Sequence, residues 1–140
     1  MEVIRLLHIN NYDKQRNRWA SPAFKNSSGR SPGISVIDRE CIINTGDTIC
    51  SHISKYYSTT PPVPTIFWCF ETDILPRGCS IEQVNSTSGD KCHYNIRELR
   101  DPDARRFFQQ FWNKIESFNI CTSDGDYRPL SVEDLEKLLP

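Results

Sequence analysis

Gly89-Asp90-Lys91-Cys92-His93-Tyr94-Asn95-Ile96 opens on a turn dipeptide and runs into strict alternation. Cys92, Tyr94 and Ile96 fall on one face, and Lys91, His93, Asn95 and Arg97 on the other. A period of two is the pattern of a strand with one face on a core. The opposite, open face then collects an imidazole, an amide and two cations, the side chains a binding or reacting site uses.

Other strands are read outward from this one. Val3 to Ile9 is an opening strand with Ile4, Leu6 and His8 on one face and Val3, Arg5, Leu7 and Ile9 on the other. Both faces are mostly apolar, which places it away from a bare edge. Ile34 to Ile37 is a short strand after Pro32-Gly33. Thr65 to Phe70 is the most apolar run and reads as a strand buried on both faces. Residues from Cys79 to Val84 supply a short strand or a helical turn.

Helices are set by capping residues and three-four spacing. Asn44 or Thr45 caps a helix through Tyr57, which the prolines at 61, 62 and 64 end. Asp101 caps a second, with Pro102 in its first turn and a stripe of Ala104, Phe107, Phe108, Phe111, Trp112, Ile115 and Phe118. Ser131 and Asp134 form a capping-box pattern before Leu135, Leu138 and Leu139. The expectation is a single α+β domain over 1–140: a small mixed or mostly antiparallel sheet of about four to six strands, packed by amphipathic helices.

Composition bounds the partners. The 140 residues are 37% hydrophobic and 11% aromatic, with a formal net charge of -1, and the mean hydropathy is -0.55. A near-neutral chain has no global field to draw it onto nucleic acid or an anionic membrane. It has no apolar run of about 18 residues to span a bilayer. Its opening, Met1-Glu2-Val3-Ile4-Arg5, lacks the charged region, apolar stretch and cleavage site of a secretion signal. A cytoplasmic location and six reduced thiols, at Cys41, Cys50, Cys69, Cys79, Cys92 and Cys121, are therefore expected. Their spacings of nine or more residues lack the knuckle of a structural zinc site, and no metal is assigned to them, to His52 or to His93.

Chemistry concentrates in a few positions. His8 and His93 sit on strands and titrate near neutrality, as an acid-base or phosphate-gripping pair requires. Each also has a plainer reading: His8 as a hydrogen-bonded core residue, His93 as a solvated one. The loop from Asn10 to Arg30 carries Lys14, Arg16, Arg18, Lys25 and Arg30 against Asp13 alone, interleaved with Trp19 and Phe24. That combination suits a nucleotide or phosphate with an aromatic for stacking, although a solvated loop has the same composition.

Ile4-Arg5-Leu6-Leu7-His8, then Arg18-x-x-Ser21-x-Ala23-Phe24, Ile34-Ser35-Val36 and Cys92-His93-x-x-Ile96 together resemble a family of small bacterial proteins without an assigned activity. More loosely, a histidine on the first strand, a docked aromatic loop and a following Ser-Val strand are similar to the ADP-ribosyltransferase arrangement. That resemblance implies a catalytic glutamate on a later strand, for which Glu71 is the placed candidate.

Two functions follow as expectations. The first is a small bacterial domain that binds or processes a nucleotide- or NAD-like ligand in a cleft of His8, Arg18, Ser35 and His93. In it His8, His93 and Ser35 are the catalytic candidates, with Ser35 on a sugar hydroxyl and His93 positioning or protonating the substrate. Arg18 holds phosphate, and Trp19, Ser21 and Asn95 complete the ligand contacts. The second is a non-catalytic module that docks on a protein partner within a bacterial defence or toxin system.

Overall fold

The computed structural model describes residues 1–20, 33–60, 62–85, 89–111, 114–122 and 125–139. A seven-stranded antiparallel sheet runs through its centre. Its strands are β1 (Glu2–Leu7), β4 (Ile34–Asp38), β5 (Ile66–Glu71), β6 (Ser80–Gln83), β7 (His93–Arg97), β8 (Phe118–Cys121) and β9 (Tyr127–Pro129), in the order β6-β7-β4-β1-β5-β8-β9. β2 (Tyr12–Asp13) and β3 (Arg18–Trp19) make a separate hairpin. The helices are α1 (Arg39–Asn44), α2 (Ile49–Tyr57), α3 (Asp101–Gln109) and α4 (Val132–Leu138). The α+β class and the antiparallel sheet are as expected; the sheet is wider, because β8 and β9 extend it past β5.

β1 is central, flanked by β4 and β5, which explains why both of its faces are apolar. Its alternation divides the interior into two layers. Val3 and Leu7 join Ile34, Val36, Ile66, Trp68, Ile96 and Phe118 in a core closed by Ala104, Phe107 and Phe108 of α3, Leu135 of α4, and Tyr12 and Trp19 of the hairpin. Ile4 joins Ile37 and Phe67 on the other side, under Ile42 of α1 and Ile49 and Ile53 of α2. Helices pack on both sheet faces, and on the side of β7 expected to be open Asn95 is buried and His93 half-buried. Tyr94 and Ile96 point to the α3 side as the alternation requires. Cys92 lies in the turn before the strand and packs instead in the α1–α2 layer.

The helix boundaries moved where local signals were overruled. The helix expected from Asn44 or Thr45 through Tyr57 starts later, at Ile49, and a separate helix, α1, precedes it where none was expected. Gly46, at φ +82°, ends α1 in the left-handed conformation that glycine adopts without strain. Thr48 then caps α2, accepting from the Ser51 amide at 3.1 Å. α3 stops at Gln109 rather than Phe118. Ile115 belongs to a single 3-10 turn, and Phe118 starts β8, fully buried against Trp19 and Trp68. The Ser131–Asp134 capping box forms as read, and Arg128 grips the same carboxylate.

Four of the six cysteines are paired, Cys41 with Cys92 and Cys50 with Cys121. This corrects the expectation of six thiols. Cys69 and Cys79 are free. Burial pushes the Cys69 thiol up to about 11 and also raises Cys79, so both stay protonated at neutral pH.

Candidate functional site

The turn into β7 and helix α2, through His52 and Tyr57, bring together polar groups of the α1–α2 layer. Asp90 is almost completely buried and lies at the centre. Its Oδ1 is 2.9 Å from His52 Nε2 and accepts the Cys92 amide at 2.8 Å. Its Oδ2 accepts the Tyr57 hydroxyl. Three donors around one buried carboxylate are what a low-dielectric site requires to hold it. Because a carboxylate only accepts, His52 carries its proton on Nε2. Its Nδ1 is then buried with no partner among the described residues. Burial and the Asp90 hydrogen bond both raise the Tyr57 hydroxyl well above the usual phenol range, and it remains a donor.

The second half of the cluster lies beside the first. Ser35 Oγ and His93 Nε2 are 2.6 Å apart, and the Tyr57 ring stands edge-on to His93 at 6.5 Å. Desolvation lowers the His93 pKa from its ordinary 6.5, and the Asp90 charge opposes that only in part. Beneath Ser35, the Arg5 guanidinium donates to the Ser35 carbonyl at 2.8 Å, with burial pushing Arg5 down to about 10. Asn95 is paired opposite Ser35 and is buried rather than open. The close approach depends on Gly33, where an added Cβ would stand 2.9 Å from Asn95 Cβ.

Ser35, His93 and Asn95 are thus brought together, and the other described candidates, His8, Arg18 and Trp19, lie elsewhere. His8 follows the end of β1, where its Nδ1 accepts the Asn10 amide at 3.1 Å. Arg18 belongs to the hairpin that packs on the opposite layer. Trp19 is fully buried between Tyr12 and Phe118, so its ring is core and no stacking surface. Ser21, Lys25 and Arg30 lie outside the described residues. Glu71 pairs with Glu2 while Leu7 pairs with Ile66, which puts the glutamate at the far end of the sheet from His8. It sits 3.4 Å from the Met1 amino group.

Two cavities flank these elements. One, of about 420 Å³, lies between the end of β1, the end of α2 and the proline loop; it is lined by Leu6, His8, Ile53, Tyr57, Val63 and Ile66 among others. The other, of about 470 Å³, is where the basic loop arrives: Lys14 and Arg16 face Ile115, Leu135 and Leu139. Asp90 and Tyr57 carry no site signal in the sequence, and His52 carries only that of a metal-ligand type. Nothing in their local spacing marks them as a set, since His52 and Asp90 are 38 residues apart. Comparison with family models, with curated proteins and with solved structures gives no match. No helix among the described residues is long and apolar enough to cross a membrane.

Proposed function

We propose that the protein binds a small ligand with a planar ring, of the nucleoside or nicotinamide kind, in the cavity between His8 and Tyr57. The observation that carries this reading is the cavity itself. Its volume of about 420 Å³ falls in the range of roughly 300–1,000 Å³ usual for small-molecule sites, and its walls are mainly apolar with a few polar groups. With Nδ1 occupied by the Asn10 amide, a neutral His8 keeps Nε2–H as a donor for a ring acceptor. Tyr57 is held in place by Asp90. Among the described residues no lysine or arginine lines this cavity, so the phosphates of a nucleotide-like ligand would face solvent there. Ser35 and His93 lie outside the lining residues of this cavity.

The two disulfides favour an oxidising compartment over the cytoplasm, since such bonds persist there. The ligand reading is tested by thermal shift with nucleosides, nucleotides and dinucleotides, because a ligand of the native state raises apparent stability. A nucleoside should raise the melting temperature as much as its phosphorylated form, and His8→Ala should remove the shift. A response to nucleotides and free phosphate alone would place binding at Lys14 and Arg16 instead.

A further inference from the structure

Asp90 and Cys92 enter from the turn before β7, His52 from α2 and Cys41 from α1. A ligand atom from each of His52, Asp90 and Cys92 lies within 4.8 Å of those of the other two. The Cys41 sulfur is bonded to that of Cys92. In a tetrahedral zinc site with bonds of about 2.0–2.3 Å, the ligand atoms stand roughly 3.3–3.8 Å apart. The cluster is already near that size; the His52–Asp90 contact opens from 2.9 Å, and the two bonded sulfurs separate once reduced.

We propose that reduction of the Cys41–Cys92 disulfide turns this cluster into a zinc site, with Cys41, Cys92, His52 and Asp90 as its four ligands. Two thiolates, an imidazole and a carboxylate form a borderline-soft donor set that suits Zn²⁺ and not Mg²⁺ or Ca²⁺. An outer shell is present: the Tyr57 hydroxyl holds Asp90 Oδ2 and leaves Oδ1 on the side of His52. His52 Nε2 is engaged with Asp90 while its Nδ1 is buried with no partner among the described residues, so ligation through Nε2 would leave the ring proton on Nδ1. His52, Asp90 and Cys92 are all buried, so a bound ion would be shielded from water as in a structural site.

The reaction balances with a dithiol reductant. Two electrons and two protons pass to Cys41 and Cys92, their S–S bond breaks, and the reductant closes its own disulfide. Zinc then replaces the two thiol protons, which leave to water. Such a site needs no short cysteine pair in the sequence, because three separate segments supply the ligands.

The test uses Co²⁺ as a spectroscopic substitute. The 140-residue chain is taken as oxidised, or reduced with a phosphine that is removed before titration under anaerobic conditions. Reduced protein should take up one equivalent, with tetrahedral visible bands and thiolate charge transfer, and Zn²⁺ should bleach both. Oxidised protein should give neither. His52→Ala and Cys92→Ser should each weaken binding at least tenfold, whereas Cys50→Ser, which breaks only the other disulfide, should leave the titration unchanged. Independently of any variant, zinc should protect Cys41 and Cys92 of the reduced wild type from alkylation and leave Cys50 and Cys121 reactive. Absence of uptake by the reduced protein, equal uptake by the oxidised protein, or protection of Cys50 and Cys121 instead would overturn the proposal.

Discussion

Ser35 and His93 are diagonal neighbours on adjacent antiparallel strands, and Ser35 Oγ meets His93 Nε2 at 2.6 Å. The contact ties β4 to β7 by side chains as well as by their backbone ladder, on the face that α2 covers.

Truncation along β7 should therefore separate two kinds of loss. Ile96 is fully buried in the α3 layer, and Ile96→Ala should cost about 2–5 kcal/mol. His93→Ala removes one hydrogen bond from a half-buried position, which is worth roughly 0.5–1.5 kcal/mol. Denaturant midpoints at constant m-value measure both. The reverse order would mean a register shifted by one residue, which exchanges the faces of the whole strand.

His93 also gives stability a pH dependence. Its folded pKa lies below the ordinary 6.5 because desolvation outweighs the attraction of Asp90. Below that value the unfolded chain binds a proton that the folded protein declines, so stability is complete above it and falls as the solution is acidified. The imidazole resonances of His93 should titrate with a midpoint under 6.5. The unfolding midpoint should drop between about pH 7 and pH 5, less steeply in His93→Gln. A midpoint above the ordinary value would contradict the desolvated placement under Tyr57.

Thiol counting gives a direct check on the cysteines. Denatured, non-reduced protein should show two free thiols, from Cys69 and Cys79; a count of six would restore the fully reduced reading. Cys41→Ala with Cys92→Ala should lower stability by about 2–4 kcal/mol, because the lost bond closes a long loop in the unfolded chain. The same double variant should bind no Co²⁺ after reduction.

The elements that could be read from sequence are those whose signal is local. β1, β4 and β5 were visible because each carries a periodic or continuous apolar pattern within a few residues. The alternation of Tyr94 and Ile96 against His93 and Asn95 is likewise intrinsic to the strand. The Ser131–Asp134 capping box spans four positions and forms where the sequence places it. α3 shows the limit of such signals. Phe107, Phe108 and Phe111 keep helical spacing with Phe118, yet Phe118 is drawn into β8, where it pairs with Trp68 and fills the core beside Trp19. A three-four stripe does not say where a helix gives way to a strand that completes the sheet.

The candidate sites depended on tertiary structure almost entirely. His8 and His93 were legible as strand-associated imidazoles, but whether they converge is set by the order of strands between them. That order gives His93 to Ser35 and leaves His8 at the cavity by the proline loop. Trp19 has the same composition around it whether it stacks on a ligand or packs in a core, and the docking of the β2–β3 hairpin decided for the core. Cys41 and Cys92 pair because α1 and the turn before β7 bring their Cα atoms to 5.5 Å. Periodicity and capping act over one or two turns of chain, so sequence determines them. Disulfide pairing and the meeting of His52 with Asp90 require segments tens of residues apart to be packed, and only the folded sheet with its helices sets those distances.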